Sequence, residues 1–209
     1  MEQKFMNYKD INTEEIIKKS RFISHIKRTT TEDEAKAFIQ EIKKEHKSAT
    51  HNCSAYIIGQ NGIIQKADDD GEPQGTAGVP ILEVLKKEEL YNVTVVVTRY
   101  FGGIKLGSGG LIRAYASGAA SAVDEAGKVV EVPMLPLTIT IDYTYTSKFE
   151  HFLKSTKATL VSQDYTDKVT YVLHAKKEDA DDIISTLKEI TSNNFDYQES
   201  DIVISEEVI

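Results

Sequence analysis

The chain has 209 residues, of which 40% are hydrophobic and 28% charged, a balance typical of a folded globular protein. This composition excludes a disordered chain, and no apolar run approaches the roughly 18 residues that a membrane helix needs. The formal net charge of −8 is uneven, because residues 1–135 carry 18 Lys and Arg against 19 Asp and Glu, whereas residues 136–209 carry 7 against 14. The acidic part would repel phosphates, so any nucleic-acid contact is expected in the first part.

Hydrophobic periodicity and cap residues predict a mixture of helices and strands in the first part of the chain. In order, the predicted elements are a short helix or lead-in at 14–19, a strand at 20–27, a helix at 31–46, strands at 53–59 and 62–67, a helix at 79–89, a strand at 93–98 and a helix at 110–126. Thr31 and Glu34 form a capping-box pattern at the start of the first long helix. Asn61 and Gly62 indicate a hairpin turn between the two strands that flank them.

Glycine and proline positions predict a boundary between two domains. All 12 glycines lie in the first 127 residues, and Pro133 and Pro136 favour a short extended connection. We therefore expect an N-terminal domain at 1–135 and a C-terminal domain at 136–209.

The C-terminal part has a simpler pattern than the first. Its predicted elements are a strand at 137–145, a helix from Ser147 to about residue 157, strands at 158–165 and 168–175, a helix at 177–191 and a strand at 195–204. This βαββαβ order, in about 70 residues, is that of a ferredoxin-like domain. The chain as a whole is therefore predicted to be an α+β protein.

An acidic loop at residues 67–78 is the first segment with unusual chemistry. It carries four carboxylates in five residues, and carboxylate oxygens are the ligands that hard cations such as Mg²⁺ prefer. Asp69, Asp70 and Glu72 are therefore candidate metal ligands, although the spacing is not that of an EF-hand. The alternative is a solvated loop that caps the following helix.

The second segment with unusual chemistry is glycine-rich and spans residues 99–115. Five glycines between a buried strand and a helix form a generic anion-binding arrangement, and aromatic side chains beside cations can stack on nucleic-acid bases. The segment matches neither the P-loop nor the dinucleotide-binding pattern. The alternative is that the glycines only permit close packing of strand and helix. The candidate ligand or nucleic-acid-binding residues here are Arg99, Tyr100, Gly102, Gly103, Lys105, Gly107, Gly109, Gly110 and Arg113.

The two segments are expected to be neighbours, because an Arg at the end of a buried strand needs a counter-charge. We expect a carboxylate of the acidic loop within ion-pair distance of Arg99, Lys105 or Arg113. Asp69, Asp70 and Glu72 are therefore candidate binding residues as well as candidate metal ligands.

His51 and Cys53 lie two residues apart on a predicted strand, so their side chains share a face. His51 is a candidate binding residue, and a Cys–His pair can form a reactive thiolate, but a cysteine opening an apolar strand is more often a small buried residue. No catalytic residue is assigned. The lone cysteine excludes an intrachain disulfide, and Met1–Met6 lack a signal-peptide pattern, which together predict a cytoplasmic protein.

Four motifs together resemble the bacterial IMPACT/YigZ family. They are Ser20-Arg21-Phe22-Ile23; His51-x-Cys53-x-Ala55-Tyr56; Asp69-Asp70-Gly71-Glu72-Pro73-x-Gly75-Thr76-Ala77-Gly78-x-Pro80-Ile81-Leu82; and Val97-x-Arg99-Tyr100-Phe101-Gly102-Gly103-x-Lys105-Leu106-Gly107-x-Gly109-Gly110-Leu111-x-Arg113-Ala114-Tyr115. The resemblance covers about residues 10–130, and the remainder looks like the small companion domain of bacterial members. It implies a ribosomal protein S5 domain 2-like N-terminal domain, and a C-terminal domain like the last domain of translocase elongation factors.

The resemblance also implies a function linked to translation. The S5-like fold suggests contact with RNA or a ribosome, and eukaryotic members regulate translation initiation, although this chain differs from them in the second part of the glycine-rich segment. We therefore expect a translation-linked regulatory or binding protein whose N-terminal domain contacts RNA, a ribosome or a translation-associated protein. A membrane partner and DNA sequence specificity are not expected.

Two alternatives remain open at the level of sequence. One is a Mg²⁺-dependent enzyme, in which Asp69, Asp70 or Glu72 holds the metal and the glycine-rich segment holds a phosphate. The other is a module that binds only proteins. No cofactor other than Mg²⁺ is expected, and whether the chain is an enzyme stays undecided.

Overall fold

The chain forms two units in the computed structural model, which describes residues 3–209. One unit runs to Val130 and includes residues 207–209, and the other spans Glu131–Glu206. The two units divide after Val130, whereas the predicted boundary follows Leu135. A single long strand, residues 128–141, runs through both positions. Met1 and Glu2, which belong to the stretch compared with a signal peptide, lie outside the described residues.

The first unit is built on a five-stranded sheet with helices on both faces. Its elements are β1 (Met6–Asn7), β2 (Ile11–Ile17), β3 (Ser20–Arg28), α1 (Glu32–Glu45), β4 (His51–Ile58), β5 (Ile64–Asp68), α2 (Gly78–Lys87), β6 (Val93–Tyr100) and α3 (Ser108–Ala126). The sheet order is β2-β3-β6-β4-β5, and every neighbouring pair is antiparallel.

The central strand β6 explains how the sheet separates two cores. Its β-branched run is buried on both faces, as such a run predicts. Val95 and Val97 pack with α2 and α3 in the larger core, whereas Val96 packs with α1 in a smaller one. Arg99 shares the face of Val97, and Tyr100 shares the face of Val96, because side chains alternate along a strand.

The predicted helix or lead-in at 14–19 is wrong. Residues Ile11–Ile17 form a strand whose alternate residues are half-buried, and it pairs with β3 through a turn at Lys18 and Lys19. Both turn residues have positive φ, 46° and 66°, as a two-residue hairpin turn of type I′ requires. Pairing with β3 therefore overrides the local helical preference of this charged segment.

The start of α1 follows the capping pattern, with one difference. Thr31 accepts a hydrogen bond from the N–H of Glu34 at 3.2 Å, as predicted. The Glu34 carboxylate, however, accepts from the N–H of Thr30 at 2.7 Å, one residue before the cap.

The second unit contains β7 (Lys128–Ile141), α4 (Tyr143–Leu153), β8 (Thr159–Tyr165), β9 (Val169–Ala175), α5 (Lys177–Thr191), β10 (Phe195–Glu199) and β11 (Val203–Val208), with β7 beginning in the first unit. Its sheet order is β10-β7-β9-β8 with antiparallel pairs, and β11 also pairs with β7. The βαββαβ order and this pairing confirm the ferredoxin-like prediction, and the whole chain is of the predicted α+β class.

Three details of the second unit differ from the sequence prediction. Helix α4 begins at Tyr143 rather than Ser147, because Asp142 caps it by accepting from the N–H of Thr144 at 2.9 Å. The final strand is divided into β10 and β11. The two prolines of the expected connection lie within β7 itself.

Among residues 3–209, no helix combines the length and apolar character needed to cross a membrane.

Candidate functional site

Asp69 stabilises the acidic loop through hydrogen bonds to the backbone of the loop itself. Its carboxylate accepts hydrogen bonds from the backbone N–H groups of Gly75 (2.8 Å), Ala77 (3.0 Å) and Gly78 (2.8 Å). Burial alone would raise the pKa of Asp69, but these donors hold it below the usual value. The side chain therefore closes the loop onto the start of α2, as a capping residue does.

Asp70 fastens the acidic loop to two other elements. It has a positive φ of 45°, and its carboxylate accepts from Lys43 Nζ on α1 at 2.6 Å and from the N–H of Asn52 on β4 at 2.7 Å. Burial lowers the pKa of Lys43, but Asp70 and Asp68 outweigh it and the pKa is raised. Both oxygens of Asp70 are thus used within the protein.

Glu72 turns into the interior and meets the glycine-rich segment. Its Oε1 accepts from Arg99 Nη1 at 2.7 Å and from the Tyr115 hydroxyl at 2.8 Å, and all three residues are buried. Burial, Cys53 and Glu72 raise the pKa of Tyr115, so the hydroxyl remains a donor. The expected ion pair between the two segments is confirmed for Arg99.

His51 and Cys53 support the same loop from β4. The His51 ring contacts the backbone oxygen of Asp70 through Nδ1 at 2.9 Å, and its Nε2 lies 3.7 Å from Glu72 Oε2. Cys53 donates through Sγ to the backbone oxygen of Asp69 at 3.0 Å, and burial raises the pKa of its thiol. A buried thiol with a raised pKa does not favour the thiolate hypothesis, and Cys53 behaves as a small core residue.

The metal hypothesis is not supported by the placement of Asp69, Asp70 and Glu72. Each carboxylate is engaged by different donors, so their oxygens do not converge on one point. Within the described part of the chain, no three His, Cys, Asp or Glu residues are arranged to hold a metal ion. The number of carboxylates in the sequence does not reveal that backbone N–H groups of the loop compete with a metal ion for the oxygens of Asp69.

Arg99 is part of the framework rather than of the surface. It is only 5% exposed, so its guanidinium is not accessible to a polyanion. The guanidinium lies between two aromatic rings, 5.6 Å from the centre of Phe22 and 5.4 Å from that of Phe101. The Arg99 guanidinium is therefore a buried cation that Glu72 neutralises and that contacts two aromatic rings.

Gly102 fixes the start of the glycine-rich segment against the β2–β3 hairpin. Its N–H donates to Ser20 Oγ at 3.2 Å, and a Cβ at this position would overlap the carbonyl group of Lys19. The preceding N–H, of Phe101, donates to Thr50 Oγ1 at 2.9 Å. Neither Ser20 nor Thr50 stands out in the sequence as a support of this segment, although Ser20 belongs to one of the four motifs.

Tyr100 faces the other side of the sheet. Its hydroxyl contacts His46 Nδ1 at 2.9 Å, and the Arg21 guanidinium lies 5.7 Å from its ring centre. It therefore lies on the opposite face of the sheet from Arg99, on the side of α1. Tyr115, which could have stacked on a base, is instead a core residue.

The remaining candidates lie at or near the surface. Gly103, Lys105, Gly107, Gly109 and Arg113 are exposed, and Gly110 is half-buried. Gly107, with φ of 75°, precedes α3 without offering a side-chain cap. A Cβ at Gly109 would lie 3.5 Å from Arg113 Nη1, which places this guanidinium beside the first turn of α3. We call Phe101, Gly103, Lys105, Gly107, Gly109 and Arg113 the exposed glycine-rich face.

Comparisons with known proteins show what this arrangement is similar to. The family model described as the Impact N-terminal domain matches residues 18–123, and a domain of unknown function (DUF1949) matches residues 139–194. The IMPACT family member YvyE of Bacillus subtilis is 45% identical over 194 residues, which is 93% of this chain and 89% of that protein. The IMPACT family member YigZ of Escherichia coli is 37% identical over 153 residues, covering 72% and 75%.

A solved structure is also similar along nearly the whole chain. It is described as the crystal structure of a hypothetical protein, and it matches with a TM-score of 0.60 at 30% identity, covering 96% of this chain and 98% of that one. The acidic loop and the glycine-rich segment both lie within the residues matched by the first family model.

Proposed function

Because the chain belongs to the IMPACT family, as its motifs predicted, we propose that it is a translation-linked regulatory protein whose first unit binds RNA, including ribosomal RNA. The binding surface in this proposal is the exposed glycine-rich face. Phosphates are held by Lys105 and Arg113 together with N–H groups at the start of α3.

One observation carries the proposal: the structure separates the buried cation of the segment from its exposed cations. Glu72 neutralises Arg99 in the interior, whereas Lys105 and Arg113 make no ion pair within residues 3–209. The sequence from Leu90 to Val123 contains no Asp or Glu at all. An acid-free segment with two unpaired cations favours a polyanionic partner, although the first part of the chain is close to neutral.

The backbone at the start of α3 adds donors to these cations. The first helical hydrogen bond runs from the N–H of Leu111 to the carbonyl of Gly107, so the N–H groups before Leu111 have no helical acceptor. The helix dipole places partial positive charge at this end. The glycines leave the N–H groups uncovered, which suits close approach of a phosphate oxygen.

A protein partner is the second candidate, and one observation favours it. Phe101, Ile104 and Ile112 are large apolar side chains that are exposed in or near the same segment. A partner protein associated with translation would bury them, with little dependence on salt. The enzyme alternative has no comparable support, because the carboxylates it requires are used inside the protein.

The experiment is a titration of fluorescent single-stranded RNA with the full chain. Lys105→Ala and Arg113→Ala should each weaken binding by a similar factor for RNAs of different sequence, because phosphate contacts are independent of sequence. Lys44→Ala is the matched control, since it removes an exposed cation from α1 on the opposite face of the sheet. Binding that Lys105→Ala and Arg113→Ala leave unchanged, or no binding at micromolar protein, would contradict the proposal.

A further inference from the structure

We propose that Phe101 is a stacking platform for one unpaired base, so that the exposed glycine-rich face selects single-stranded over double-stranded RNA. This inference rests on the proposed function, since it names which form of RNA that face accepts. It begins from Phe101 as an exposed aromatic ring, 46% accessible, two residues after the buried Arg99.

The ring of Phe101 has a guanidinium on one side. The Arg99 guanidinium lies 5.4 Å from its centre, and the same guanidinium lies 5.6 Å from the buried ring of Phe22. Glu72 holds Arg99 in this position with a 2.7 Å ion pair. With the guanidinium on one side, the exposed part of the Phe101 ring is available to a stacked base.

The backbone that carries the ring is also fixed. The N–H of Phe101 donates to Thr50 on the β4 side, and the N–H of Gly102 donates to Ser20 on β3. Gly102 packs so closely on Lys19 that no other residue fits there. The backbone that carries the ring therefore loses little conformational freedom on binding, which favours affinity.

The charge of the segment favours a nucleic-acid base over an apolar protein surface as the group that binds to the Phe101 ring. The exposed side chains of known charge in this segment are Lys105 and Arg113, and the surrounding sequence has no carboxylate from Leu90 to Val123. An exposed aromatic ring in the same segment as two unpaired cations matches a nucleotide, which offers a flat base and a phosphate together. Bases of a duplex are already stacked on each other, so only an unpaired base can occupy the ring.

The test uses the absence of tryptophan from the chain. Phe101→Trp gives the chain a single tryptophan, and stacking on single-stranded RNA should quench the emission of this tryptophan, whereas the duplex of the same sequence should not. Tyr8→Trp is the control, because Tyr8 is 50% exposed and lies outside the proposed face. Its emission should not change on addition of either RNA.

Affinity separates stacking from simple apolar contact. Phe101→Ala and Phe101→Leu should both weaken binding of single-stranded RNA on the order of tenfold, because Leu keeps apolar volume but has no ring, whereas Phe101→Tyr should retain it. Full affinity for single-stranded RNA in Phe101→Leu, or equal quenching by duplex and single strand, overturns the stacking role.

The two proposals fail in different ways. If Lys105→Ala weakens RNA binding but Phe101→Ala does not, the stacking role is wrong and RNA binding by this face stands. If neither variant changes RNA binding, the face is not the RNA-binding surface and both proposals are wrong.

Discussion

Glu72 is the residue on which the site depends most, because it is the acceptor for two buried donors. Replacing it by Gln leaves the Arg99 guanidinium buried without a counter-charge. Removing one partner of a buried ion pair is expected to lower the free energy of unfolding by about 3 kcal/mol or more. Urea denaturation of Glu72→Gln against the wild type measures this loss.

The control for Glu72→Gln is an exposed ion pair in the same unit. Glu14 accepts from Arg21 at 2.8 Å through both carboxylate oxygens, but both side chains are about half exposed. Glu14→Gln should therefore change stability far less, because solvent screens such pairs. Equal losses in the two variants would show that Glu72 does not hold a desolvated cation.

His25 supplies a prediction about acid stability. It is 6% exposed, its ring lies 5.1 Å from that of His46, and its Nε2 has no hydrogen-bond partner in the described structure. Burial, with a smaller contribution from His46, lowers its pKa to about 4, while Glu45 opposes this shift. The unfolded chain binds the proton near pH 6.5, so stability is lost as the pH falls from about 6.5 to about 4.

The measurement for His25 compares the wild type with His25→Gln at pH 7 and at pH 4. A shift of this size corresponds to about 3 kcal/mol, so the wild type should lose about that much more stability than the variant between the two pH values. An equal loss in both proteins would contradict a buried, neutral His25.

At the residue scale, the sequence predicted the pairing of the two segments but not the role of each side chain. The need of Arg99 for a counter-charge is a local argument, and Glu72 meets it. Whether Asp69 binds a metal or the N–H groups of its own loop depends on where its oxygens point, which no spacing reveals. The burial of Tyr115 and the exposure of Phe101 likewise follow from tertiary packing.

At the scale of elements, two glycines of the same segment should respond in opposite ways to Ala. A Cβ at Gly102 would overlap the backbone of Lys19, so Gly102→Ala must separate the glycine-rich segment from the β2–β3 hairpin. We expect a clear loss of stability and weaker RNA binding. Gly109, in the first turn of α3, has only an ordinary 3.5 Å contact with Arg113.

Gly109→Ala should therefore be neutral or stabilising by up to about 1 kcal/mol, because Ala is the better helix former. Thermal denaturation of the two variants checks both signs. A stable Gly102→Ala protein with normal RNA binding would show that the close approach to the hairpin is not needed.

Helices and strands were predicted correctly where local sequence features determine them, and wrongly where pairing between strands determines the conformation. The β-branched run of β6, the Thr31 cap and the exact bounds of α5 are local features. The segment Ile11–Ile17 carries Glu14 and Glu15, which favour a helix, yet its pairing with β3 makes it a strand. Asp142 and Ser147 are both good caps, and the end of β7 at Ile141 selects the first.

At the scale of the whole molecule, the distribution of charge favours the first unit as the surface for the proposed RNA binding. Residues 136–209 carry twice as many acidic as basic residues and would repel phosphates, whereas the stretch from Leu90 to Val123 is free of acids. The ferredoxin-like order of the second unit was readable from its element sequence. The two prolines that suggested an extended connection lie within β7, which continues through both of them.

The salt dependence of RNA binding is the measurement that tests the central claim most directly. The logarithm of the binding constant should fall linearly with the logarithm of salt concentration, and each cation that neutralises one phosphate of a single strand contributes about 0.7 to the slope. The double variant Lys105→Ala/Arg113→Ala should therefore show a slope shallower by about 1.4 than the wild type, while Lys44→Ala keeps the wild-type slope. Equal slopes for the wild type and the double variant would contradict phosphate binding by the exposed glycine-rich face.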